Sequence, residues 1–388
     1  MIVLKGITWK NPRGYDPLVA ASARYNALFP EIQVAWEQYP WYEFEQRILD
    51  DFNQKKRIYD LIMFDHPWTG TLAANGWLLP WDDYLPESYT RELKQRVVAP
   101  SVESYHYDDK QWALPLDAAS HCALYQKSPG LKGELPDTWE MIGAWALEQQ
   151  KAGYKTPLVL SLQGVLGSCL FLSMMASYGQ PAFSDPEAEN INIEAAKYVL
   201  SLLKELQVYS PPGSSKWGPW DIYDRFCENQ DLLYSPSIFG YVNYLGPNNA
   251  GKNLYVSTVP SFQHRNKPCA IIGGVGLGLT YSCTDVNAAV GYGRFLMSDQ
   301  VQKEVFPAHY GQPSVKGVWE DIALNRAVNN FYLDLRPNMD NGYIRPRYNG
   351  FHSVELAIGD TLQKWWDDDT DLETTVAKLS EIKPTLKH

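Results

Sequence analysis

Cysteine is scarce in this 388-residue chain: Cys122, Cys169, Cys227, Cys269 and Cys283 are far apart, odd in number and form no CxxC pair. That excludes a complete disulfide framework, and no Cys and His spacing suggests a zinc site. Small buried apolar residues are the expected reading, with room for one bridge if the protein is exported. Long apolar runs are missing too. The longest uncharged stretch, 156–184, carries Pro157, Gln163 and Pro181, so it reads as a buried helix rather than a membrane span. Basic surface is also short. With 34 Lys and Arg against 45 Asp and Glu the net charge is −11, which argues against a nucleic-acid or anionic-lipid binder unless a local basic patch overrides the total. The densest basic run, Lys55-Lys56-Arg57, reads as a solvated helix end. No Gly-x-Ser-x-Gly, P-loop or His-Glu-x-x-His motif occurs. No secretory segment precedes Ile2-Val3-Leu4, so the chain is expected either to be cytoplasmic or to lack an export segment that its native form carries.

Aromatic residues are what the sequence has in excess, with 14 Trp, 25 Tyr and 13 Phe, many of them outside core periodicity. The first ninety residues alternate strand and helix. Ile2 to Thr8 reads as a strand, and Asp16 caps a helix that Pro17 opens and Pro30 stops. Ile32, Val34 and Trp36 alternate as a second strand, and Phe44, Ile48 and Phe52 mark a second helix. Tyr59 to Phe64 is a short apolar run suited to a buried parallel strand. This order predicts an α/β fold with a parallel sheet, whose ligands bind at the carboxyl ends of strands. The rule points at two loops, Trp9 to Tyr15 and Asp65 to Gly70. Later helices are expected from Glu194 to Gln207, after Asp285, and from Ser353 to Trp366 as the last strong one. Trp217 and Trp220 fall in a Pro- and Gly-rich loop.

A series of short motifs carries a resemblance. Phe29-Pro30-Glu31-Ile32-Gln33-Val34, Tyr59-Asp60-Leu61-Ile62-Met63-Phe64-Asp65 and Ala74-Asn75-Gly76-Trp77-Leu78-Leu79-Pro80-Trp81-Asp82 come first. Trp112-Ala113-Leu114-Pro115, Leu135-Pro136-Asp137-Thr138-Trp139-Glu140, and Val259-Pro260 with Ile272-Gly273-Gly274-Val275-Gly276-Leu277 follow in order. Together they resemble the solute-binding proteins of ABC importers, in the large family that includes maltose-binding protein. Departures from that pattern are Val275, where many relatives have an aromatic, and the loosely matching tail after Arg347.

The resemblance implies a two-lobed periplasmic-binding-protein-like α/β fold, with a ligand cleft between lobes joined by a multi-strand hinge. Carried over, lobe one is 1–116 with 258–302, and lobe two is 117–257 with 303–388. It implies reversible binding of a small solute, a carbohydrate by preference, by a monomer that delivers it to a membrane permease. No cofactor, metal or nucleic acid is expected, and the location is periplasmic or extracellular, free or lipid-anchored.

Sugar C–H faces stack on aromatic rings, so Trp9 and Trp68 at strand ends and Phe239 and Tyr241 near the family's second-lobe stacking aromatic are candidates. Trp36, Trp77, Trp139 and Trp365 follow core periodicity and are expected to pack. Polar candidates are Lys10, Arg13, Asp65, His66, Asp117, Gln163 and His352. Asp65 with His66 and Trp68 resembles the family's hydroxyl-gripping corner, the alternative being a helix cap. Asp117 either binds ligand or anchors the hinge, and Arg345 and Arg347 either face the cleft or pair on the surface. Gly273 and Gly274 are similar to the family's segment beside the ligand. The Gly-rich run they open precedes no helix, which argues against a dinucleotide site. Asp367 to Asp371 reads as an acidic helix end rather than a calcium loop. The rival from another class is a glycoside hydrolase with two carboxylates across a cleft, although spacing places no such pair. An adaptor with exposed aromatics is the third reading.

Overall fold

The computed structural model describes residues 1–128, 131–187, 190–228, 231–265, 267–368 and 370–385, and of Tyr42 the backbone alone. The chain divides into two units. The first holds 1–119, 273–324 and 347–349, and the second holds 120–272, 325–346 and 350–388. Residues 258–272 thus go with the second unit and 303–324 with the first, where the sequence reading placed them the other way round.

In the first unit, strand β1 (Ile2–Trp9) lies between β2 (Ile32–Tyr39) and β3 (Leu61–Asp65), both parallel to it. Helices α1 (Pro12–Leu28) and α2 (Trp41–Asn53) make the two crossovers. The expected alternation holds in β2, where Ile32, Val34 and Trp36 are buried. Trp36 lies so close to β1 that a Cβ at Gly6 would come within 2.5 Å of its ring, and its indole donates to Tyr292 Oη at 3.1 Å. The sheet continues with strand Val275–Thr280, antiparallel to β3, which also pairs with Leu78–Leu79 and Ala113–Pro115. The Gly-rich run is therefore a buried strand. The second unit carries a four-stranded sheet in which Ala119–Gln126 pairs with Leu254–Ser257, Ile272–Gly273 and Tyr234–Phe239. Helix Val165–Tyr178 is buried over most of its surface, as the uncharged stretch predicts. Among the described residues no helix is long and apolar enough to cross a membrane.

Some local expectations differ. Helix α1 starts at Pro12, not after Asp16. Asn11 caps it, its side chain accepting the Arg13 N–H at 2.9 Å, and Pro17 lies inside the helix. Trp220 is helical, because Pro219 opens the helix that runs to Glu228. A further helix, Leu372–Glu381, follows the one ending at Asp368, and Asp371 caps it by accepting from the Thr374 N–H at 2.9 Å. Asp369 of the acidic run lies outside the described residues. None of the five cysteines forms a disulfide. The Trp residues expected to pack do so: Trp36, Trp139 and Trp365 are buried, and Trp77 stacks on Phe52 at 5.2 Å.

Candidate functional site

The first unit gathers its candidates at the carboxyl ends of β1, β2 and β3. Trp9 ends β1 and packs over Gly14, where a Cβ would come within 2.5 Å of the indole. Pro40 turns the chain out of β2 and sets Trp41 at the start of α2. Trp41 meets Trp9 edge-on at 6.1 Å, Trp68 at 5.9 Å and Phe44 at 5.7 Å, while Phe44 stacks on Trp68 at 6.0 Å. Trp9 and Trp68 are 5% and 6% exposed and Phe44 is fully buried, so Trp41 is the ring of this cluster with surface left to offer. Lys10, next to Trp9, is exposed.

Beneath the rings lies a buried polar layer. Arg13 Nε donates to Asp117 Oδ2 at 2.8 Å, and its Nη2 pairs with Oδ1. Burial pushes the Asp117 carboxyl up and the Arg13 guanidinium pulls it back. Asp117 therefore acts as an anchor, and its carbonyl approaches Gly274 closely. A Cβ at Gly274, whose φ is +108°, would lie 2.4 Å from that oxygen, so the position requires glycine. Gly273 is buried in the preceding strand. Asp65 caps the turn His66–Trp68, accepting the His66 N–H at 2.9 Å, and lies 3.2 Å from His66 Nδ1. His66 is buried edge-on to Tyr105, whose hydroxyl donates to the Gly274 carbonyl at 3.1 Å. Both carboxylates of this layer are thus engaged structurally, which leaves them ill-suited to proton transfer.

The second unit has its own aromatic group. Phe239 ends strand Tyr234–Phe239 and meets His121 edge-on at 4.4 Å. The Tyr223 hydroxyl donates to the Phe239 carbonyl at 3.2 Å and accepts the Tyr241 N–H at 3.2 Å, pinning the chain between the two candidate rings. Tyr241 touches Trp220 at 6.1 Å and Tyr223 at 5.8 Å, whereas the face of Trp217 is covered by Arg225 at 3.9 Å. Gln163 is exposed beside Gly218, in the turn before helix Val165–Tyr178. Arg345 is not a surface residue. Both it and Glu355 are 1% exposed and joined at 2.9 Å, and its guanidinium lies 6.0 Å from the Phe239 ring. His352 Nδ1 is 3.3 Å from the second Glu355 oxygen.

Sequence reasoning missed Trp41, Tyr223 and Glu355. The strand-end rule would have found Trp41 had it been applied to the loop after β2 as well as those after β1 and β3. His121 was missed too. Burial, with the Arg345 charge adding to it, lowers the His121 pKa to about 3. An unfolded chain takes up this proton near the ordinary histidine value of 6.5, well before the folded one does. Stability should therefore fall as pH drops from about 6.5 toward 3, by at most about 1.4 kcal/mol per unit from this group. His121→Asn should flatten that limb in urea unfolding at pH 6.5, 5.5 and 4.5. Parallel pH curves for the two proteins would contradict the assignment.

Comparison with known proteins gives the family and the fold. Residues 9–303, well over half of the chain, match the bacterial extracellular solute-binding protein family. A maltotriose-binding protein of Pyrococcus abyssi is 27% identical over 138 residues, 35% of this chain and 28% of that protein. The match thus spans less than a third of that relative's length. Among solved structures, maltose-bound MalE3 of T. maritima superposes with a TM-score of 0.84 at 19% identity, covering 98% of each chain. The GacH receptor of Streptomyces glaucescens, solved unliganded and with acarbose, gives 0.82 at 16% identity, covering 98% of this chain and 96% of that one. A ribitol complex of an ABC transporter solute-binding protein from Agrobacterium radiobacter gives 0.81 at 19% identity, with 98% and 97% covered. These likenesses establish the two-lobed periplasmic-binding-protein fold, and the family match supports the receptor reading over the hydrolase. The chain belongs to the bacterial extracellular solute-binding proteins, the non-enzymatic binding components of transporters.

Proposed function

We infer that this chain is the receptor of an ABC importer, that its solute is a carbohydrate, and that it delivers the solute as a monomer to a membrane permease outside the cytoplasmic membrane. The carrying observation is the first unit's aromatic cluster, in which buried Trp9, Phe44 and Trp68 hold the partly open Trp41 ring at the carboxyl ends of three strands. A rigidly backed indole is the surface that the C–H face of a sugar needs. The solutes named for the similar proteins, maltotriose, maltose, acarbose and ribitol, support the same class. Phe239 and Tyr241 supply rings in the second unit, and Lys10 and Gln163 supply exposed polar groups in theirs.

Titration with a panel of mono- and oligosaccharides and polyols tests the reading. At least one should bind and be recovered chemically unchanged by mass spectrometry. Product that grows with protein concentration would sink the receptor, and a panel without a binder would sink the carbohydrate. Trp41→Ala should raise Kd about ten- to hundredfold through lost stacking and buried area, roughly 1.5–3 kcal/mol. Its cost to unfolding free energy should be about 1 kcal/mol, since the ring is only partly buried. Unchanged affinity would remove Trp41 from the site.

A further inference from the structure

The cations of the first unit's candidate site and of the second unit's Phe239 cluster are mostly neutralised from within: Arg13 by Asp117 and Arg345 by Glu355. Arg347 is different. Residues 347–349 belong to the first unit, where the Arg347 carbonyl packs so closely on Gly70 that a Cβ there would lie 1.9 Å away. This fixes the segment beside the Asp65–Gly70 turn that carries His66 and Trp68. On its other side the Arg347 Nε donates to the His106 carbonyl at 2.8 Å, in the hairpin 106–111. That is the single hydrogen bond of its side chain to the described residues, and no described carboxylate pairs with it. Burial lowers the Arg347 pKa with no neighbouring charge offsetting it. In a chain with 45 acidic side chains against 34 basic ones, a half-buried guanidinium without a carboxylate is a costly arrangement.

A bound anion removes that cost, and the guanidinium fork matches a carboxylate or phosphate with two parallel N–H···O bonds. We propose that the solute carries an anionic group, received by Arg347 beside the Trp68 turn, so that the receptor selects acidic sugars of the uronate type. This rests on the carbohydrate reading above and narrows it.

Calorimetric titration of the intact protein with glucuronate, galacturonate and trigalacturonate, each against its methyl ester, tests the proposal, because the ester removes the charge and keeps the sugar. At least one acid should bind about tenfold or more tighter than its ester. Arg347→Gln should bring the affinity for the acid down to about that for its ester, and Arg347→Lys should restore part of the difference, keeping the charge without the fork. Glucose 1- and 6-phosphate form a second arm. If they outbind the uronates the anionic group is a phosphate, and in the reverse order it is a carboxylate. The proposal is overturned if acid and ester bind the wild type equally, or if Arg347→Gln keeps the preference. Tight binding of neutral sugars that ignores Arg347 would sink it and leave the carbohydrate receptor standing. A panel with no binder at all would end both.

Discussion

Replacing Glu355 with alanine is expected to remove about 3–5 kcal/mol of unfolding free energy, the range for breaking a buried ion pair from one side. Arg345 and Glu355 are both 1% exposed, and Nη1 meets Oε1 at 2.9 Å. Deleting the carboxylate strands the guanidinium beside the Phe239 ring and the Cys169 sulfur, neither of which can balance its charge. The pair itself need not be stabilising relative to an apolar core. Arg345→Met combined with Glu355→Leu should recover most of the loss, because both desolvation costs disappear together. Exposed pairs give the contrast: Glu87→Ala, which breaks a pair with Arg91 on the surface of the helix Glu87–Arg96, should cost no more than about 0.5 kcal/mol. Urea unfolding of the four proteins decides the matter. A loss below about 1 kcal/mol for Glu355→Ala would mean that water reaches the pair.

Such pairs explain where sequence reasoning succeeded and where it stopped. β2 and α2 were legible because each buries one face at its own period, as Val34 and Trp36 do in β2 and Phe44, Ile48 and Phe52 do in α2, and β3 was legible as an unbroken buried run from Leu61 to Phe64. The ordered motifs extended that reading to the family and its two-lobed fold. The start of α1 was misplaced because Asn11 and Asp16 are both good caps, and only the Asn11 contact with the Arg13 N–H chooses between them. The members of the polar layer, Arg13, Asp65, His66 and Asp117, were legible as polar candidates, but the pairing of Arg13 with Asp117 was not. Arg13 and Asp117 are 104 residues apart, and nothing local tells a ligand-facing arginine from one that anchors a strand crossing. Arg345 and Glu355 are only ten residues apart, yet the turn at Gly350, with φ of +86°, hides their meeting from any helical spacing. Trp41 was legible in principle, since it follows Pro40 at the end of a strand that had been recognised.

Trp68→Ala is expected to cost about 3–5 kcal/mol of stability, the range for emptying a buried aromatic site. The strand-end rule places Trp68 in the loop where ligands bind, and the resemblance gives the same expectation. The structure shows how the ring sits: 6% exposed, stacked on Phe44 at 6.0 Å and tilted against Trp41 at 5.9 Å. Removing it opens a void beneath Trp41 and takes away the surface that orients that indole. Affinity in the fraction that remains folded should therefore fall as well, through Trp41, whereas Trp41→Ala should lose affinity at small cost in stability. Trp365→Ala is the control for packing alone. Trp365 is 2% exposed on the helix Phe351–Asp368, so its loss should match Trp68→Ala in unfolding free energy and leave sugar affinity unchanged. Urea unfolding and sugar titration on all three variants separate the roles. Stability within about 1 kcal/mol of wild type would refute the packed position of Trp68. Full affinity in folded Trp68→Ala would show that Trp41 needs no support from below, and that the aromatic cluster is core rather than platform.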